Sequence, residues 1–376
     1  MSESDFQGAR VLLDESVTDD LGAIGSDAVC SGAQALVWRD GDVVFEHTSG
    51  WAELDPPRVL RPDTQMDVAS LTKSLVGATL TMRAVDDGLL DFDTPISELL
   101  PEWDIGDEAR QRATVLHLLN HSSGLPAWER FYMRFPVDPS PEVAEETRHA
   151  LFDEIARRPL EADPGSRHCY SDLGYILLAH ILERAWGELL HVPARESIFE
   201  PLGMDATRYV ARICDDAPIE DAAATEVCPL RGRTVVGTVH DENTDIMGGV
   251  STHAGVFSTA RDLAAFLEHM LEIYHGRTGG IVDPETLRFC WSERARGADG
   301  HHLGGWDTPS GEVSSAGRGF QASRTVGHLG FTGTSFWIDL ERDLFAILLT
   351  NRVYPSRKND TIKDLRVAFH ELVHPG

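Results

Sequence analysis

Strand-like segments sit at both ends of this chain and helical ones fill its middle, and that distribution limits the folds open to it. Near the N-terminus, "QALVWRDGDVVFEHTSGWAE" alternates apolar and polar residues around Asp40-Gly41, which predicts a β-hairpin. Near the C-terminus, "TSFWIDL" and "LFAILLTN" read as two further strands joined by a turn at Glu341-Arg342-Asp343, followed by a helix over about 361–373. Between them the apolar spacing predicts helices from about Ser70 to Asp87, a short one ending at "HLLNHSSGL", and others over 142–158 and 172–186. "GGVSTHAGVFST" then reads as a strand and turn, "ARDLAAFLEHMLEIY" as an amphipathic helix, and 296–323 as a glycine-rich loop. The expected fold is α/β of the α+β type: an antiparallel sheet flanked by N- and C-terminal helices, with an inserted, mostly helical lobe. The catalytic unit is expected over residues 8–376, with a sheet lobe of about 8–66 plus 205–376 and a helical lobe of about 67–204. A ligand cleft is expected between them.

Composition narrows the partners. A formal net charge of −28 over 376 residues repels nucleic acid and anionic membranes. No apolar run approaches the roughly 20 residues that cross a bilayer, and "MSESDFQGARVLLDES" lacks the basic and apolar regions of a secretory signal. A cytoplasmic location is the expectation. Cys30, Cys169, Cys214, Cys228 and Cys290 show no C-x-x-C pair, which suits reduced thiols rather than a disulfide framework or a zinc site.

Only three lysines occur, Lys73, Lys358 and Lys363, and the first lies three residues after Ser70. At i and i+3 on a helix the two side chains face the same way. A serine hydroxyl needs a base to act as a nucleophile, and lysine serves only where its pKa is brought toward neutrality. Val68, Ala69, Leu71, Leu75 and Val76 leave Lys73 the only charge between Asp67 and Arg83, which predicts burial. The competing reading makes Ser70 an N-cap and Lys73 a solvated first-turn residue.

Two later segments bear on that choice. "PGSRHCYSDLGYILLAHILE" sets Tyr170 and Asp172 at the mouth of a helix, where Asp172 could be a simple cap and Tyr170 a core aromatic. "TVGHLGFTGTSFWIDL" carries His328 and small residues at Gly327, Gly330 and Gly333, which allow close approach of a substrate to the backbone.

In this order, S-L-T-K, Y-S-D and H-L-G resemble the three motifs of the β-lactamase-like serine hydrolases. These include class C β-lactamases, D-alanyl-D-alanine carboxypeptidases and family VIII carboxylesterases. "LLNHSSGLP", "IFEPLGMDAT" and "GGVSTHAGVFSTARDLAAF" are similar too, so the resemblance spans about 28–370. It implies a β-lactamase/transpeptidase-like fold and a hydrolase without cofactor or metal. Ser70 is implied as the acylated nucleophile, with Lys73 and Tyr170 sharing acid–base duty. The backbone N–H groups of Ser70 and Phe331 would form the oxyanion hole, and Asp172, His328, Gly330 and His240 would face substrate.

Two departures shape the expected substrate. Asp172 stands where the family carries asparagine; it accepts where an amide donates, and it is expected to hold Lys73 charged. His328 stands where β-lactamases carry lysine and is mostly neutral near pH 7. Both favour a small ester or amide substrate, with a carboxylesterase as the first expectation. A D-amino-acid peptidase, a DD-carboxypeptidase or a feeble β-lactamase is the alternative.

Rivals from other classes are a non-catalytic ligand-binding member and a zinc hydrolase. The terminal "HELVH" satisfies H-E-x-x-H, but a third protein ligand is wanted downstream, where only Pro375 and Gly376 remain. A surface helix end is therefore expected at His370-His374, and an exposed loop at His301-His302. "WERFYMRF" is read as either a cleft wall or a packed loop.

Overall fold

The computed structural model describes residues 6–18, 28–297 and 300–375. The glycine-rich loop expected over 296–323 thus falls outside the described residues at 298 and 299. Eight strands form the main sheet, in the order Pro57–Val59, Asp42–Leu54, Gly32–Arg39, Leu344–Thr350, Ser335–Asp339, Thr325–Leu329, Trp306–Asp307 and His302–Leu303. Every neighbouring pair is antiparallel. Asp40 (φ 51°) and Gly41 (φ 95°) close the first hairpin with positive φ at both turn positions, the conformation that an Asp-Gly pair tolerates.

The run Leu344–Thr350 is continuously apolar because both faces of the sheet are covered. Leu344, Ala346 and Leu348 pack with the terminal helices Gln7–Ser16 and Ile362–Val373. Phe345, Ile347 and Leu349 point the other way, into the core shared with the helix Ala260–Tyr274 and the helical middle. Val326 joins that second core, as does Phe336, the cross-strand partner of His328. Alternation along the strand therefore turns His328 toward the helices.

The expected helices appear at Thr79–Asp86, Val115–Leu119, Pro141–Ala156, Asp172–Trp186, Ala260–Tyr274 and Ile362–Val373. The first is preceded by a π-helical stretch, Lys73–Ala78; such widened turns recur at functional sites.

Two expectations are corrected. The HELVH helix end is not at the surface: His370 and His374 are buried against the back of the sheet. His374 Nε2 lies 2.9 Å from Asp339 Oδ2 and His370 Nε2 lies 3.2 Å from Ser335 Oγ, so hydrogen bonds occupy both nitrogens. Glu371 turns outward, to Arg318, and Leu372 beside it is exposed. His302 is likewise buried, while its neighbour His301 is exposed as expected; His302 belongs to a two-residue edge strand, not a free loop. Among the described residues no helix is long and apolar enough to cross a membrane.

Candidate active site

A short strand, Met66–Asp67, leads into Ser70. The approach is strained, because Ala69 has φ 49°, a region costly for a residue with a Cβ. Asp67 fixes this turn: its Oδ1 accepts from Ala69 N–H at 2.8 Å and its Oδ2 from His240 N–H at 2.7 Å. Burial nonetheless raises the Asp67 pKa. Hydrogen bonds from Thr332 Oγ1 to Asp67 O (2.7 Å) and from Thr334 Oγ1 to Val68 O (2.9 Å) tie the turn to the third motif.

Lys73 is fully buried. Its Nζ donates to Ser70 Oγ at 3.0 Å and to His253 O at 3.2 Å, and lies 2.7 Å from Asp172 Oδ1. Burial works to lower its pKa, but the charge of Asp172, with Tyr170 behind it, wins and holds the ammonium above its ordinary value. Asp172 is thus placed as the ion-pair partner of Lys73, and the solvated-lysine alternative is excluded by burial. Tyr170 leaves 38% of its surface open to the cavity, while its hydroxyl reaches both Ser70 and Lys73. Burial raises the phenol's pKa, with Lys73 opposing.

Tyr170 and Asp172 are held by a residue whose role was not read from sequence. His121, in "LLNHSSGLP", accepts from Cys169 N–H at its carbonyl (2.7 Å) and from Ser171 N–H at Nδ1 (2.9 Å). Its ring packs on Tyr170 with centroids 4.3 Å apart. Because Nδ1 accepts, the neutral ring carries its proton on Nε2; burial drives the His121 pKa well down. Ser171 then caps the helix, its Oγ accepting from Gly174 N–H at 3.1 Å. His253 is a second such residue, since its ring is anchored to Asp241 Oδ1 at 2.9 Å while its carbonyl receives Lys73.

His328 Nδ1 lies 2.9 Å from Leu329 O, and burial pushes its pKa down to about 3, with Lys73 adding to the effect. It is neutral at pH 7 and offers no fixed cation. His240 lines the cavity and stacks on Phe331 at 5.8 Å, while pairing with Glu226 at 3.0 Å. Ser70, Tyr170, Asp172, His328, Gly330 and Phe331 all line one cavity of about 570 Å³. From the "WERFYMRF" segment Trp128 reaches this cavity, whereas Phe131 is core. Among the described residues, neither Ser70 N–H nor Phe331 N–H donates to another group of the chain.

An antiparallel sheet between terminal helices, with a Ser-x-x-Lys helix start facing a tyrosine, is the arrangement of the β-lactamase-like serine hydrolases. The Beta-lactamase family model matches residues 16–369, and the chain belongs to that family of hydrolases. It is 30% identical over 344 residues to an N-acetylmuramyl-L-alanine amidase of Bacillus subtilis, covering 85% of this chain and 77% of the relative. It is 30% identical over 348 residues to a putative D-alanyl-D-alanine carboxypeptidase of Escherichia coli K12, covering 84% and 77%. Among solved structures, a penicillin-binding protein homolog from Caulobacter crescentus superimposes with a TM-score of 0.70 at 21% identity, covering 99% of this chain and 98% of that one.

Proposed function

We propose that this hydrolase cleaves small ester substrates through an acyl-enzyme on Ser70, as a carboxylesterase. The observation that carries the reading is the contact of Ser70 Oγ with Lys73 Nζ at 3.0 Å, beside the Tyr170 hydroxyl. Ser70 attacks the acyl carbonyl and its proton passes to the Lys73–Tyr170 pair. The N–H groups of Ser70 and Phe331 receive the oxyanion. The leaving group takes the proton back, and water repeats the sequence to release the acid. Because Lys73 rests as an ammonium, it must shed a proton before it can take one, so turnover rises with pH.

The preference for esters over β-lactams follows from His328, whose neutral ring supplies no charge for a substrate carboxylate. Ester carbonyls are also attacked more readily than amide carbonyls, which suits a site whose base is reluctant to take the Ser70 proton. A second reading, cleavage of amides or D-amino-acid peptides, is favoured by the names of the relatives at 30% identity.

Parallel assays with p-nitrophenyl acetate, nitrocefin and a D-alanyl-D-alanine peptide separate these readings. The ester is expected to turn over fastest, with mass spectrometry finding the trapped acyl group on Ser70. Faster release of D-alanine than of p-nitrophenol would replace the esterase reading by the peptidase one.

A further inference from the structure

Gly330 and Phe331 share one peptide group, with the Gly330 carbonyl at one end and the Phe331 N–H at the other. The carbonyl end is occupied: Arg366 Nη2 donates to Gly330 O at 2.6 Å and to Thr334 O at 2.7 Å. Arg366 comes from the C-terminal helix Ile362–Val373 and is buried. Among the described residues it has no carboxylate partner; burial, with Arg352 nearby, pushes its pKa down to about 9. A buried cation without an acid is costly. Two carbonyls alone do not call for one, because a neutral amide could donate to both.

The peptide itself is pinned. Gly330 N–H donates to Thr334 O at 2.7 Å. A Cβ on Gly330 would fall 2.0 Å from Thr334 Oγ1 and 2.6 Å from Val68 O. Gly330 therefore lies directly against the segment that delivers Ser70, so the two proposed oxyanion donors sit on packed neighbouring segments.

We propose that Arg366 is a positioning residue of the oxyanion hole, whose guanidinium charge polarises the Gly330–Phe331 peptide and makes Phe331 N–H a stronger, fixed donor. The inference rests on the acyl-enzyme reading above and adds a residue that borders the same cavity and acts on the oxyanion through the peptide rather than by touching it. Charge-assisted hydrogen bonds are roughly twice as strong as neutral ones, and each bond in a chain strengthens the next by perhaps 10–30%. The effect grows as charge develops on the oxyanion, so it acts on the transition state more than on the bound ester.

The test compares Arg366→Met, Arg366→Gln and Arg366→Lys with the native enzyme on p-nitrophenyl acetate, a neutral ester. Rates are normalised to active sites titrated by acyl trapping, which removes any loss of folded protein. Removing a whole oxyanion-hole donor costs about 10²–10³ in kcat; weakening one in Arg366→Met is expected to cost about 10–100-fold, with KM within about threefold. Affinity for an alkyl boronic acid, which places an anionic oxygen in the hole, should fall by the same factor as kcat/KM. Arg366→Lys should recover part of the loss and Arg366→Gln little of it, and this pair decides the matter if Arg366→Met does not fold. Normal kcat per titrated site in Arg366→Gln, or a change confined to KM, would overturn the proposal. Full turnover by Ser70→Ala would instead sink the acyl-enzyme reading and leave the Arg366 geometry without a reaction to serve.

Discussion

Lys73 Nζ sits 2.7 Å from Asp172 Oδ1, closer than its 3.0 Å to the hydroxyl of Ser70. The lysine that should activate the serine is thus held first by a carboxylate. Two forces of opposite sign act on it: burial favours the free amine, and the Asp172 charge favours the ammonium. The second prevails, which separates this site from one with an asparagine at the same position, where burial would be opposed by Tyr170 without that carboxylate.

Asp172→Asn should therefore lower the Lys73 pKa. The acid limb of the kcat/KM profile reports the base in the free enzyme, so the native limb should lie on the alkaline side, with rate still climbing above about pH 8. In the variant the limb should move to lower pH, giving more activity on the limb at a fixed pH. An acid limb that stays in place would mean that Lys73 is not the group being titrated.

Lys73→Met combines a catalytic and a structural loss. It removes the base and leaves the Asp172 charge without its partner. Breaking one side of a buried pair costs about 3–5 kcal/mol, and the 21% exposure of the Asp172 side chain puts this case at the low end. The double variant Lys73→Met/Asp172→Asn should regain most of the thermal stability and none of the turnover. Recovery of both would show that the lysine was only a structural counter-ion.

The terminal H-E-x-x-H motif should be structural rather than metal-dependent. His374 Nε2 is 2.9 Å from Asp339 Oδ2, and both side chains are buried. His374→Ala should cost about 2–3 kcal/mol in denaturant unfolding through the stranded acceptor, and chelator should change neither stability nor activity. Burial tends to raise the Asp339 pKa, but His374, Glu341 N–H and Arg324 outweigh it and hold it below 3.8. The stabilisation from Asp339 is therefore complete above about pH 4 and fades as pH falls through the depressed folded value. Loss of activity on chelation would reverse this assignment.

How legible such features are depends on whether the determining forces are local. The Asp40-Gly41 turn, the apolar Leu344–Thr350 strand and the Ser70–Lys73 spacing are local, and each could be read directly. The burial of His370 was legible as well: positions 362, 365, 366, 369, 370 and 373 repeat as one helix face, and all six are buried. Motif spacing drew attention to His370 and His374 and away from that face. His302 was harder, since a two-residue strand has no periodicity of its own. Its signal lay in Gly304-Gly305, whose φ values of 53° and 90° close a hairpin between Leu303 and Trp306. The Lys73–Asp172 contact joins residues 99 apart in sequence, and without the family resemblance no local pattern announces it.

His121 offers a last test, because it shapes the site without offering a group to the proposed chemistry. Its carbonyl and Nδ1 bind the N–H groups on either side of Tyr170, at 2.7 and 2.9 Å, and its ring supports the Tyr170 ring. Its own backbone is strained, at φ 54°, so a substitution must tolerate the left-handed region, as asparagine does. His121→Asn keeps the carbonyl contact and loses the ring. Tyr170 should then wander from Ser70 and Lys73, lowering kcat by about 10²-fold, since an error of about 1 Å in a reacting group costs that much. KM should change little, because the cavity wall near Phe331 is untouched. A variant with native kcat would show that the tyrosine is held by the cavity itself, or that its hydroxyl takes no part in moving the proton.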